Sequence, residues 1–153
     1  MAGFARGSKA VRVSCLADTG ALLALLDRDD RWHDACVESF ASFRLPLVTS
    51  SPVLTELFHL VGDRPHEVAA AWGFLRSGAV TVRPTRDQDL PALEVLMLRY
   101  ADRPMDFADA TLVHLAGLEG IQTVFTVDHN DFETYRFNGK RRFRIQPARV
   151  WPA

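Results

Sequence analysis

A chain of 153 residues, 48% of them hydrophobic, suits one domain with a sizeable buried core. A net charge of −1 does not suggest bulk attraction to a polyanion, and no apolar run approaches the ~18 residues a membrane span needs. Cys15 and Cys36 have no metal-ligand or redox spacing, which points to a reducing cytoplasm.

Residues 1–10 read as a flexible tail, and residues 11–153 as a single domain. Residues 11–17 form an apolar run that predicts a buried strand ending at Asp18. Thr19–Leu26 reads as a short helix broken by Asp27-Arg-Asp-Asp30. Cys36, Val37, Phe40 and Phe43 recur at helical spacing. Residues 45–49 read as a short strand, and Ser50 or Ser51 as the cap of the next helix, with Pro52 in its first turn. Val68, Trp72 and Leu75 mark another helix, ended near Gly78, and residues 79–82 a strand. Leu90, Leu93, Leu96 or Met97, and Tyr100 mark a longer helix. Residues 106–118 predict the next, stopped by Gly120. Residues 123–127 read as a strand ending at Asp128, and residues 143–145 as a weaker one. Strands alternating with helices predict a three-layer α/β/α sandwich around a mostly parallel sheet.

Four acids, Asp18, Glu56, Asp109 and Asp128, stand out against this frame. Asp18 and Asp128 end strands, where open α/β sheets place their ligand site. Glu56 falls about 130° from the centre of the apolar arc Val53, Leu54, Leu57, Phe58 and Val61, at the rim of the buried stripe. Asp106 and Asp109 share one helix face, and each also suits a helix start as cap or first-turn acid. Asp128 and Asp131 have the spacing of a loop-organising pair. Carboxylates gathered together cannot all stay ionised without a cation, and a hard divalent metal is the natural partner. None of the five histidines forms a zinc-like pair. His129 reads as an exposed loop residue and His114 as a packing or surface residue.

The segments Leu16-Ala-Asp18-Thr-Gly-Ala-Leu-Leu-Ala-Leu-Leu-Asp27, Ser51-Pro-Val-Leu-Thr-Glu56-Leu, Met105-Asp106-Phe-Ala-Asp109-Ala-Thr-Leu-Val and Phe125-Thr-Val-Asp128-His-Asn-Asp131-Phe resemble the PIN domain, in PIN order and spacing. The nearest resemblance is to VapC-type toxins of toxin–antitoxin pairs. It implies a PIN-like α/β/α fold and a Mg²⁺- or Mn²⁺-dependent endoribonuclease. In this reading Asp18, Glu56, Asp109 and Asp128 are the catalytic acids and metal ligands, with Asp106 and Asp131 as accessory ligands. The match to Asp-Ala-Thr-Leu-Val favours Asp109 over Asp106 in third place, with both able to face the metal. Thr19 and Thr126 match small hydroxyl positions that hydrogen-bond the carboxylates. The resemblance also implies a homodimer, held inactive by a cognate antitoxin.

An acidic site needs a basic grip on RNA elsewhere. Residues 132–153 carry +5, against −6 for the rest, and Lys140, Arg141, Arg142 and Arg144 are the expected RNA contacts. The competing readings are a PIN-type processing nuclease that is not a toxin, and a catalytically silent RNA- or protein-binding module. A phosphotransferase is disfavoured, because Asp18-Thr-Gly lacks a second acid two residues on and there is no GxxxxGK[ST] loop.

Overall fold

The computed structural model describes residues 11–103 and 105–149. Its central sheet is built from short, apolar strands. β1 (Cys15–Ala17) is buried throughout. The strand expected over residues 11–17 is shorter because residues 11–14 are exposed, joined to the fold by a bridge between Val13 and Phe43. α1 (Thr19–Leu26) and α2 (His33–Phe40) lead to β2 (Leu47–Ser50). Phe43 lies beyond α2 and packs edge-on to Phe125 at 5.2 Å. α3 (Ser51–Val61) and α4 (Pro65–Arg76) lead to β3 (Val80–Arg83). A 3₁₀ turn (Asp87–Asp89), α5 (Leu90–Arg99) and α6 (Phe107–Glu119) precede β4 (Thr123–Phe125). The chain closes with α7 (His129–Thr134), the ribbon strands β5 (Arg136–Phe137) and β6 (Arg141–Arg142), and β7 (Arg144–Gln146).

Five strands form one sheet in the order β3-β2-β1-β4-β7, and every pairing in it is parallel. The chain steps outward from β1 through β2 to β3, then returns to place β4 on the other side of β1. Right-handed crossovers then put α1–α4 on one face and α5–α6 on the other. The expected three-layer sandwich is therefore present. The reversal between β1 and β4 is the point where such sheets open a crevice at their carboxyl ends. β1 and β4 pair along their length, Cys15 with Thr123 and Ala17 with Phe125, so Asp18 leaves the sheet beside Thr126, two residues before Asp128; the strand expected over residues 123–127 stops at Phe125.

Two elements differ from the sequence expectation. Residues 129–134 form a helix rather than a bare turn, because Asp128 caps it by accepting from the Asp131 amide at 3.2 Å. Residues 136–142 form an antiparallel ribbon. Its Asn138-Gly139 turn has φ of 49° and 82°, the left-handed geometry such dipeptides favour. The ribbon packs on α6 so closely that a Cβ on Gly117 would come within 2.7 Å of Asn138 Oδ1. Ser50 precedes α3, but its hydroxyl pairs with Thr111 Oγ1 at 2.7 Å on α6 instead of capping the helix.

Among the large apolar side chains, Phe43 and Leu57 are wholly buried in the core. Trp32, Phe40 and Phe58 are half-buried. Trp72 is 49% exposed and lies against Phe58, ring centres 4.9 Å apart. The expected tail over residues 1–10 lies outside the described residues.

Candidate active site

Asp18 is placed by the end of β4 and by the helix it caps. Its amide donates to Phe125 O at 2.9 Å, carrying the β1–β4 pairing one residue past the strand. Its carboxylate caps α1 by accepting from the Thr19 amide at 2.8 Å, and its other oxygen accepts from the Thr126 hydroxyl at 2.8 Å. The same hydroxyl accepts from the Asp128 amide at 3.0 Å, so Thr126 ties the two acidic loops together. The Thr19 hydroxyl reaches Val53 O at 3.4 Å and joins α1 to α3, the helix bearing Glu56. Gly20 lets α1 lie close to the loop after β4, since a Cβ there would meet Val127 Cγ2 at 2.8 Å.

Asp109 enters from the opposite layer. It sits in the first turn of α6, only 8% exposed, and its amide donates to the Asp106 cap at 2.7 Å. One carboxylate oxygen accepts from the Tyr135 hydroxyl at 2.9 Å; the other has no protein donor among the described residues. Sequence reasoning missed Tyr135. Its signal was the spacing Phe132, Tyr135, two large rings at helical separation after an acidic cap.

The electrostatics show that the six acids share one field. Burial pushes Asp109 up to about 8, and the charges of Asp18, Asp106 and Asp128 add to it, while the Tyr135 hydrogen bond opposes. Burial raises Asp18 to about 6, helped by Asp128 and Glu56 and opposed by Thr126 and Thr19. Half-buried Glu56 is raised by desolvation and by Asp106. Asp131 is raised to about 6, first by desolvation and then by Asp128 and Asp106. Asp18, Glu56, Asp106, Asp109, Asp128 and Asp131 are thus brought together at the carboxyl edge of the sheet.

Among the described residues, no three acid, histidine or cysteine side chains stand as a ready-made metal cage. The donor set is all oxygen and spread over a rim, which suits a hard cation that keeps several waters and takes only one or two carboxylates directly.

The basic residues fall elsewhere. β7 runs parallel to β4 with Arg144 opposite Thr123, at the amino end of the strands. Arg141 and Arg142 contact Gln122 at that same end, and Lys140 is exposed beside them. Gly117, which abuts the ribbon, lies about 12 Å along α6 from Asp109 at 1.5 Å per residue. The structure therefore does not bring Lys140, Arg141, Arg142 and Arg144 to the carboxylates. His129 is buried rather than exposed, its Nε2 donating to Pro147 O at 2.8 Å and its ring 5.2 Å from Trp32. His114 is a structural residue: its Nε2 lies 3.0 Å from buried Asp89, which also takes two bonds from the Arg86 guanidinium.

Residues 15–138 match the PIN domain family. Ribonuclease VapC26 of Mycobacterium tuberculosis is 31% identical over 134 residues, covering 86% of this chain and 99% of the relative. The chain is a PIN domain of the VapC type. Its fold has close solved counterparts. The Mycobacterium tuberculosis toxin VapC20, described as cleaving the sarcin-ricin loop, superposes with a TM-score of 0.67 at 26% identity, covering 76% of this chain and 92% of that one. A FitAB chain, solved bound to an IR36 DNA fragment, shares the PIN fold with a TM-score of 0.55 at 15% identity, over 77% of this chain and 87% of that one. The carboxyl edge that carries the acids is thus the edge of a PIN sheet, and no described helix is long and apolar enough to cross a membrane.

Proposed function

We propose that this chain is the toxin of a toxin–antitoxin pair, a divalent-cation-dependent endoribonuclease that hydrolyses RNA phosphodiester bonds. The observation that carries the reading is the convergence of Asp18 and Asp109, both buried, with Glu56, Asp106, Asp128 and Asp131 at one crevice. Two carboxylates are not buried beside like charges for stability, because each is destabilised by the others.

Asp18, Glu56, Asp109 and Asp128 are the residues we assign to hold Mg²⁺ or Mn²⁺. A bound cation supplies charge neutralisation and Lewis acidity toward a phosphodiester. Thr126 and Tyr135 hold Asp18 and Asp109 in fixed rotamers, so the acids are preorganised rather than recruited. Asp106 and Asp131 sit at the rim, where they accept hydrogen bonds from water that enters the crevice. Water adds to phosphorus, the sugar oxygen leaves, and the products are a phosphate monoester and a free hydroxyl. Residues 11–153 act as one unit, with the basic ribbon and β7 gripping the RNA backbone remote from the cut.

A cognate antitoxin neutralises the toxin, which works as a homodimer in the cytoplasm. VapC26 and VapC20 support this partner class through their naming as VapC ribonuclease and toxin.

The test is cleavage of total RNA by purified protein, freed of bound inhibitor, in Mg²⁺, in Mn²⁺ and in EDTA. Metal-dependent cuts that disappear in both Asp18→Asn and Asp109→Asn are expected. A wild type that cuts nothing in either metal would overturn the reading.

A further inference from the structure

The carboxylate crevice opens sideways into a groove of about 680 Å³, lined by Ser51, Thr55, Pro84, Thr85 and Phe107 and bounded by Glu56 and Asp106. The two acids belong to both, so whatever reaches the crevice along this path passes through the groove. That volume is in the range of sites that hold small organic ligands.

The chemistry of the lining selects the occupant. Among the described residues no lysine or arginine lines the groove, so its walls offer a phosphate no cationic contact. What it offers is apolar surface and three hydroxyls that either donate or accept. Phe107 is the residue that is hard to explain otherwise. It occupies the first position of α6, directly after the Asp106 cap, where any residue suits and acids or proline are favoured. Its ring is 41% exposed and makes no ring contact among the described residues, while other aromatics here pack in pairs. An unpartnered aromatic face beside an acidic cleavage centre matches how single-stranded RNA is held, with an unstacked base laid on an aromatic side chain.

We propose that the groove beside Glu56 and Asp106 is a nucleobase subsite, in which a base of the RNA strand stacks on the Phe107 ring while its neighbouring phosphate lies at the carboxylates. The inference rests on the ribonuclease reading above and deepens it. Ser51 and Thr85 meet the edge of the base, and because hydroxyls serve either role, the subsite prefers a planar base without demanding one sequence.

Phe107→Ala and Phe107→Trp test it, with fluorescein-labelled oligoadenylate and an abasic ribose-phosphate oligomer of equal length as probes, their binding in Mg²⁺ read by rapid mixing before cleavage sets in. Phe107→Ala is expected to weaken oligoadenylate binding by about 5- to 150-fold, the range for losing one base–aromatic stack. Its salt dependence should match wild type, because no phosphate contact is lost. The abasic oligomer should bind wild type and Phe107→Ala alike. Phe107→Trp should keep the affinity, and its added indole fluorescence should be quenched by oligoadenylate and not by the abasic oligomer. The exposed ring makes all these proteins foldable, which matching thermal melts verify. If wild type cuts total RNA while Phe107→Ala binds oligoadenylate as wild type does, the subsite fails and the nuclease reading stands. If wild type neither cuts nor binds RNA, both fail together.

Discussion

Asp109→Asn should make the metal-free protein more stable while abolishing its activity. Asp109 is 8% exposed, and its carboxyl is pushed up to about 8 by burial and by Asp18, Asp106 and Asp128. An unfolded chain releases that proton near pH 4. Between about pH 4 and 8 the native state therefore holds a proton that the unfolded state has lost, and stability falls as pH rises through this window. About four units at 1.36 kcal/mol each gives an upper figure of roughly 5 kcal/mol lost by pH 8. Asparagine keeps an acceptor for the Tyr135 hydroxyl and carries no charge. After the cost of burying a polar amide, a gain of about 2–4 kcal/mol is expected at pH 8, or roughly 5–10 °C in melting temperature for a chain of this size. The assay is thermal unfolding in EDTA from pH 5 to 8, repeated with Mg²⁺. Wild type should lose melting temperature as pH rises, and the variant much less. Mg²⁺ should stabilise wild type and have little effect on the variant. A variant that melts at or below wild type at pH 8 in EDTA would refute the claim that these acids are strained against one another.

Three further outcomes follow from the same geometry. Tyr135→Phe removes the hydroxyl donor to Asp109, so metal-free stability at pH 8 should fall by about 1–3 kcal/mol and the pH–rate profile should move to higher pH; an unchanged profile would deny the contact a role. Thr126→Val breaks the link between the Asp18 carboxylate and the Asp128 amide, and cleavage should drop about 10- to 100-fold, with Thr126→Ser restoring it. Replacing Lys140, Arg141, Arg142 and Arg144 with glutamine should flatten the salt dependence of binding to long RNA by about 0.7 per lost contact, while RNA too short to reach the ribbon is cut as before. Equal salt slopes for long RNA would remove the ribbon from the binding surface.

Much of the fold was legible in the chain because its signals are local. Asp18, Asp106 and Asp128 each cap a helix by accepting from a backbone amide one or three residues on, and such spacing is visible in a linear sequence. The apolar runs that became β1, β2, β3 and β4 could be placed for the same reason, although their ends could not. Residues 11–14 are as apolar in pattern as a strand, yet only burial distinguishes them from Cys15–Ala17, and burial is a property of the neighbours. His129 misled in the same way. A histidine after an acid in a turn reads as exposed until Trp32 and Pro147 are packed over it.

Acids at the ends of elements in an alternating α/β chain follow from periodicity and capping, which act within a few residues. Which of those acids is costly follows from packing between elements. The order β3-β2-β1-β4-β7 sets β1 against β4 and so joins Asp18 to Asp128 across more than a hundred residues of chain. Packing of α6 against that junction drives Asp109 out of water and under the Tyr135 hydroxyl. The same topology sends the basic ribbon to the far end of the sheet, where charge counting along the chain had no means of placing it. Desolvation and like-charge repulsion depend on distances through space, and those exist only once the strands have paired.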